Sequence, residues 1–371
     1  SLTSGALTLG GFAIAGGAAP SQDETFNSAG LTTLSTSADI TINQLDTVTF
    51  TGDVSSERAI TISNINTRVD LGANVDVTAN DGNLAMDSSV NEIQLSGAGA
   101  NTIESTTGTV DLAAITDSAA ITDLEIVAGT TATLAAVTLD IGGNSNLDIN
   151  ATTAQLNGAV DVDGVVQLDG ATTTNLNAAT LEGDDGVNLA ALEVQTNATL
   201  STTGDVGDDI SITGAITSTA MESNTLTLDA NGGTDGNVNL GATVGEDGSS
   251  TSRLGTFTVE AGAVDLTDST TIGIFTNNAA VDLTNVTNFE LGNAAGTGEV
   301  RTIDTAGGAV TIGGTILSTG ANGYGLTINT TPDGADTTGG AVSLAMFNSA
   351  GVNPQVNSLN VTTEATGTGS G

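Results

Sequence analysis

The sequence predicts an all-β chain wound as a parallel β-solenoid, and three observations carry that expectation. Triplets of large apolar, polar or small, large apolar recur roughly 28 times, the period-two signature of short strands with one buried and one wet face. Gly, Asn, Asp and Ser stand between the triplets, and 49 of the 371 residues are glycine, so turns separate the strands closely. Large core fillers are scarce: 7 Phe, 1 Tyr and no Trp. A sandwich needs longer strands and bulkier side chains. A thin interior of Val, Leu, Ile and Ala suits stacked coils, each burying its apolar residues against its neighbours. Leu, Ile, Val and Phe together supply 89 of the 371 residues. That share lies just above the composition of a disordered chain, so the regular arrangement decides that the chain folds.

At roughly 20 residues per coil the chain would make about 18 short coils. Residues 1–22 are expected to form an apolar N-terminal cap or assembly arm. Leu7, Leu9, Phe12 and Ile14 alternate there like strand residues, and no charge occurs before Asp23. An arm of this kind could add a strand to the next subunit. Residues 23–365 are expected to be the solenoid. Ile60, Ile62, Val69, Leu71, Val75 and Val77 should face inward, and Thr61, Asp70 and Asp76 outward. Outward Asp111, Asp140, Asp148 and Asp161 are candidates for ranks of like charge on successive coils. Residues 366–371 should form a flexible tail. No apolar run is long enough for a membrane span.

The charge is lopsided. There are 43 Asp or Glu and 4 Lys or Arg, a formal net charge of -39, with no His or Cys. The four cations are Arg58, Arg68, Arg253 and Arg301. Imidazole and thiolate metal sites, disulfides, thiol nucleophiles and a Ser-His-Asp triad are excluded. Four scattered arginines cannot neutralise a nucleic-acid backbone, so no nucleic-acid partner is expected.

Carboxylates are the abundant functional group. Asp161 and Asp163, Asp184 and Asp185, and Asp208 and Asp209 lie on glycine turns, and hard oxygen ligands at such spacing suit Ca²⁺. No EF-hand string and no glycine-rich nonapeptide array accompanies them, so solvated turns are the competing reading. No other cofactor is expected. Carboxylate-pair hydrolysis would need aromatic sugar platforms and cations that the chain lacks, so no enzyme is expected. Ranks of T-x-T that could form an ice-binding face are irregular.

One internal echo is specific. Leu226-Thr227-Leu228 is followed by Gly236-Asn237-Val238-Asn239-Leu240 and Leu254-Gly255-Thr256-Phe257-Thr258-Val259. Further along come Leu326-Thr327-Ile328, Gly340-Ala341-Val342-Ser343-Leu344 and Val356-Asn357-Ser358-Leu359-Asn360-Val361. Over about 220–365 this order resembles the coils of filamentous-haemagglutinin-like bacterial surface exoproteins. The resemblance implies a right-handed β-helix, an extracellular or cell-surface location, and a role in adhesion or matrix. The chain is shorter than large members, and their secretion domain is not found in it. The expected function is thus an extracellular filament or matrix subunit that partners itself head to tail. The final strand, with Leu359 and Val361, would meet the N-terminal arm. The alternative is a fragment of a secreted adhesin whose faces bind surface glycans.

Overall fold

A computed structural model describes residues 2–4, 7–10, 25–27, 33–120, 122–203, 207–219, 224–230, 236–246, 252–266, 272–292, 299–318, 323–332, 338–347 and 356–363. Among them every regular element is a strand, none is a helix, and the strands pair in parallel. The fold is the expected parallel β-solenoid. The chain divides into two compact units, Ser1–Thr174 and Asn175–Gly371.

In the first unit, triplets one coil apart pair in register. Ile40 pairs with Ile60, Ile60 with Leu84, Leu84 with Val110, Val110 with Ala132, and Ala132 with Ala154. All six are fully buried. A second inward lane runs Val48, Val69, Ile93, Ile115, Val137 and Val160. A third runs Val54, Val77, Ile103, Ile126 and Ile149. Backbone bonds join the coils, as in Ile40 N to Ala59 O at 2.9 Å and Ile60 N to Asn83 O at 3.0 Å. Each lane is therefore an apolar ladder in which every rung covers the next. Burying each Val, Leu or Ile contributes about 1.5–3 kcal/mol.

A fourth lane holds small residues: Thr36, Ser56, Ala79, Ser105 and Ala128. These sit where each coil turns, and the hydroxyls satisfy turn carbonyls: Ser56 Oγ donates to Ala38 O at 2.7 Å and Ser105 Oγ to Gly82 O at 2.6 Å.

The second unit repeats the principle. Leu181, Leu200, Leu228 and Val259 form one lane. Val187, Ile210, Val238, Val264, Phe289 and Ile316 form another. A third passes through Ile216, Val244, Ile274, Ile303 and Ile328.

Three expectations change. The coils are longer than expected and unequal, so there are fewer than eighteen. The step from Ile40 to its partner Ile60 is short, that from Leu84 to Val110 is longer, and those from Leu228 to Val259 and from Leu326 to Leu359 are longer still. The inward triplets fix the lanes, and the turns between them absorb the variation. Some strands also run well past a triplet: Ile40–Phe50 has 11 residues and Ile60–Leu71 has 12. Each bends at a left-handed residue, Gln44 (φ 57°) and Asn64 (φ 54°), which stand at equivalent positions one coil apart. Asn is among the few non-glycine residues that tolerate this conformation. Finally, Asp70 is 7% exposed. It takes the outward position, but Arg68 Nε lies 2.7 Å from its Oδ1 and Thr49 Oγ1 donates to its Oδ2 at 3.4 Å. Both cover it.

The inward set otherwise stands as read: Ile60, Ile62, Val69, Leu71, Val75 and Val77 are fully buried, and Thr61 and Asp76 are exposed. The expected outcome is that Val75→Asp destabilises the fold by more than about 3 kcal/mol, since it buries a carboxylate without a partner. Asp76→Val should stay within about 0.5 kcal/mol. Urea titration of both variants checks this, and similar losses would refute the register.

Candidate functional site

The outward lanes carry the acids, and the chain satisfies them without lysine. Hydroxyl and amide donors one coil away serve instead. Thr67 Oγ1 donates to Asp46 at 2.7 Å, Thr116 Oγ1 to Glu92 at 2.6 Å, and Asn146 Nδ2 to Asp123 at 2.8 Å.

Three of the six candidate calcium residues, Asp163, Asp184 and Asp209, share this pattern. Asp161 is exposed and pairs in register with Thr138. Asp163 Oδ1 accepts the Ser145 N–H at 2.9 Å. Asp184 accepts the Thr203 hydroxyl, and Asp185 lies beside it, half-buried. Asp208 offers its carbonyl to Thr202 Oγ1 at 3.0 Å. Asp209 accepts Asn237 N at 2.8 Å and Asn239 Nδ2 at 3.3 Å. Several of these carboxylates thus tie a turn to the next coil. Among the described residues no three Asp, Glu, His or Cys converge closely enough to hold a metal ion.

Of the assembly candidates, Leu7 and Leu9 lie on the strand Leu7–Gly10, which pairs with Ile40 and Ile42. Phe12 and Ile14 lie outside the described residues. Leu359 and Val361 are 45% and 40% exposed.

The expected single ranks of Asp do not form. Asp111 has Ala85 and Thr133 as neighbours across the coils. Asp148 meets a like charge in its own strand register, with Glu125 on one side and Gln167 on the other. There Asp123, Glu125 and Asp148 line a groove of about 360 Å³ with Asn101, Thr102 and Asn146. Burial, then Glu125 and Asp169, hold the Asp148 carboxyl above the usual carboxylate range. Burial foremost does the same at Asp117, and at Asp111 with help from Asp87.

The second unit has features that the triplet pattern hides. Arg301 is 1% exposed and occupies an inward position, paired with Leu326. Its Nε donates to Leu291 O at 2.8 Å, and its guanidinium stacks 4.8 Å from the Tyr324 ring centre. Gly292 (φ +131°) passes so close that a Cβ there would lie 2.9 Å from Arg301 Nη2. Arg253, 5% exposed, lies 5.7 Å from the Phe275 ring centre and 3.5 Å from Asp304 Oδ2. Both buried guanidiniums are thus held by an aromatic face and oxygen acceptors. The sequence signal is parity: counting back by two from inward Ile303 reaches Arg301, and exposed Val300 is the residue turned out.

Beside the second arginine pair runs a trough of about 630 Å³. It lies on the outward faces of four successive coils. Ala215, Thr243, Gly273 and Thr302 precede the inward residues Ile216, Val244, Ile274 and Ile303, and Thr217, Gly245, Phe275 and Asp304 follow them. Glu246 completes the wall. Small residues make it concave. A Cβ at Gly273 would collide with the Phe275 ring, and one at Gly245 (φ +72°) would collide with Phe275 O.

Comparison with family models, curated proteins and solved structures finds no match.

Asp265 and Glu290 are register partners on adjacent coils. Burial, then Glu290, raises the Asp265 pKa to about 6, against a lowering pull from Arg301. An unfolded Asp titrates near ~3.9. The native state therefore holds the proton more tightly, and its advantage is complete below about pH 4 and lost as pH rises through about 6. Asp111, Asp117 and Asp148 act in the same direction. Tm should therefore fall by about 2–3 °C between pH 5 and pH 7. Asp265→Asn should remove the largest part of that change. A thermal scan across pH checks it, and a flat profile in the wild type would refute it.

Proposed function

We propose that the chain is a non-catalytic structural subunit of an extracellular β-solenoid filament or matrix fibre, assembled head to tail with copies of itself. One observation carries this reading: among the described residues, the last strands of the second unit lack a covering coil. Leu326 and Ile328 are fully buried, while their register partners Leu359 and Val361 stand 45% and 40% exposed. On the adjoining sheet, Ile312 and Ile316 are buried, while their partners Leu344 and Phe347 are half-exposed. Residues that belong to inward lanes face solvent there because no described strand stacks on them. Strands at such an edge present backbone groups as a template for another strand.

The contact proposed for this edge in the first unit is the outer side of the earliest described strands. Leu2–Ser4, Leu7–Gly10 and Thr25–Asn27 each pair with a later strand on one side. Joining one edge to the other is heterologous and yields an open fibre when it does not close. The extracellular setting rests on the likeness of residues 220–365 to surface exoproteins.

Electron microscopy of the purified chain should show long fibres of uniform width. Leu359→Asp combined with Val361→Asp should abolish them while leaving the β-sheet circular dichroism unchanged. Isolated rods from the wild type at all concentrations would overturn the reading. Glycan binding by such rods would favour an adhesin fragment instead.

A further inference from the structure

The trough of the second unit has a shape and a charge that the filament reading does not use. Its length follows from the register: four coils, or three steps of about 4.8 Å, give about 14 Å. Ala215, Gly273 and Phe275 give it an apolar lining, and Thr217, Thr243 and Thr302 line it beside them. Two carboxylates line it, Glu246 on the second coil and Asp304 on the fourth.

The charge balance is negative. Arg253 offsets part of Asp304 through their 3.5 Å contact, and Asp304 Oδ1 also accepts the Ala306 N–H at 3.1 Å. Arg253 does not line the trough; it is buried against Phe275. Two carboxylates and one guanidinium leave one negative charge at the site. The surrounding chain, at -39, adds a field of the same sign. An anionic ligand is disfavoured, and a neutral one gains nothing from this field. A cation gains from both, provided it is long, narrow and partly apolar.

We propose that this trough binds a linear polyamine, a chain of methylenes with ammonium groups at intervals. The methylenes lie along the apolar lining. One ammonium meets Glu246, another meets Asp304, and the Thr hydroxyls accept the remaining N–H donors. The spacing is suitable, because two coils separate the carboxylate-bearing positions by about 10 Å. The chain has no lysine and two of its four arginines are buried, so a second copy cannot easily supply such a group. The ligand must come from outside.

Calorimetric titration of the full chain with spermidine in 150 mM NaCl tests this. The expected result is one saturable site per chain. Glu246→Gln should weaken it about two- to fivefold. Thr243→Lys, which sets an ammonium in the trough, should abolish it, with circular dichroism confirming that each variant folds. Asp161→Asn, in the first unit and exposed, should leave it unchanged. Three results would overturn the proposal: no saturation at this salt, an equal loss in Asp161→Asn, which would mean diffuse counter-ion binding, or a response to maltotriose that Thr243→Lys removes while spermidine gives none.

Discussion

Everything in this protein depends on in-register parallel stacking of one coil on the next. Backbone bonds fix the lateral step at about 4.8 Å, so each side chain meets the residue at the same position of the neighbouring coil. An inward position is thus buried by its neighbours above and below more than by distant parts of the chain. Ile60 is covered by Ile40 and Leu84, and Val110 by Leu84 and Ala132. A core built this way needs no large aromatic residues. It needs correct parity on every coil, because a slip by one residue turns a whole lane outward.

The same stacking shapes the electrostatics. A lane that places like beside like would align carboxylates, and with no lysine the chain has few counter-charges. The sequence avoids many such alignments by alternating acids with neutral residues along the lane. Asp70 stands between Thr49 and Gln94, and Asp111 between Ala85 and Thr133. Neutral donors bind a carboxylate without adding a charge, so the surface remains strongly acidic and self-repelling. Where acids do align, as at Glu125 and Asp148 or at Asp265 and Glu290, burial and repulsion together raise the proton affinity of the aspartate.

The strands were legible in the sequence because period two is local. Val75 inward and Asp76 outward follow from neighbours within a few residues. Coil length was not legible, since turns vary freely provided the next triplet returns to its lane. The step from Val238 to Val264 is shorter than the one from Val281 to Val310, yet both return an inward valine to an inward valine. Anything assembled across coils was hidden for the same reason. Thr243 and Thr302 take equivalent positions in one trough, with Thr217 on its other side, only because unequal loops stack their coils. The left-handed bends at Gln44 and Asn64 hid two faces inside what read as separate short strands. Charge misled as well: Asp70 is outward yet covered by Arg68, and Arg301 is inward despite its guanidinium.

Arg301 shows how a solenoid accommodates an exception. An inward guanidinium interrupts an apolar lane, and its burial is tolerable only if every donor finds an acceptor or a π face. Tyr324 supplies the face, Leu291 supplies a carbonyl, and Gly292 clears the space. The Asp265 and Glu290 pair lies close enough for Asp265 to feel the cation. The sole tyrosine of the chain is therefore committed to one arginine, and a second arginine takes Phe275. Both pairs lie in the unit with the longest coils. There a long amphipathic side chain laid against a ring takes a buried place that Val, Leu or Ile holds in other coils. Most of the buried aromatic side chains stand in that unit as well: Phe257, Phe275, Phe289 and Tyr324, against Phe50 in the first unit.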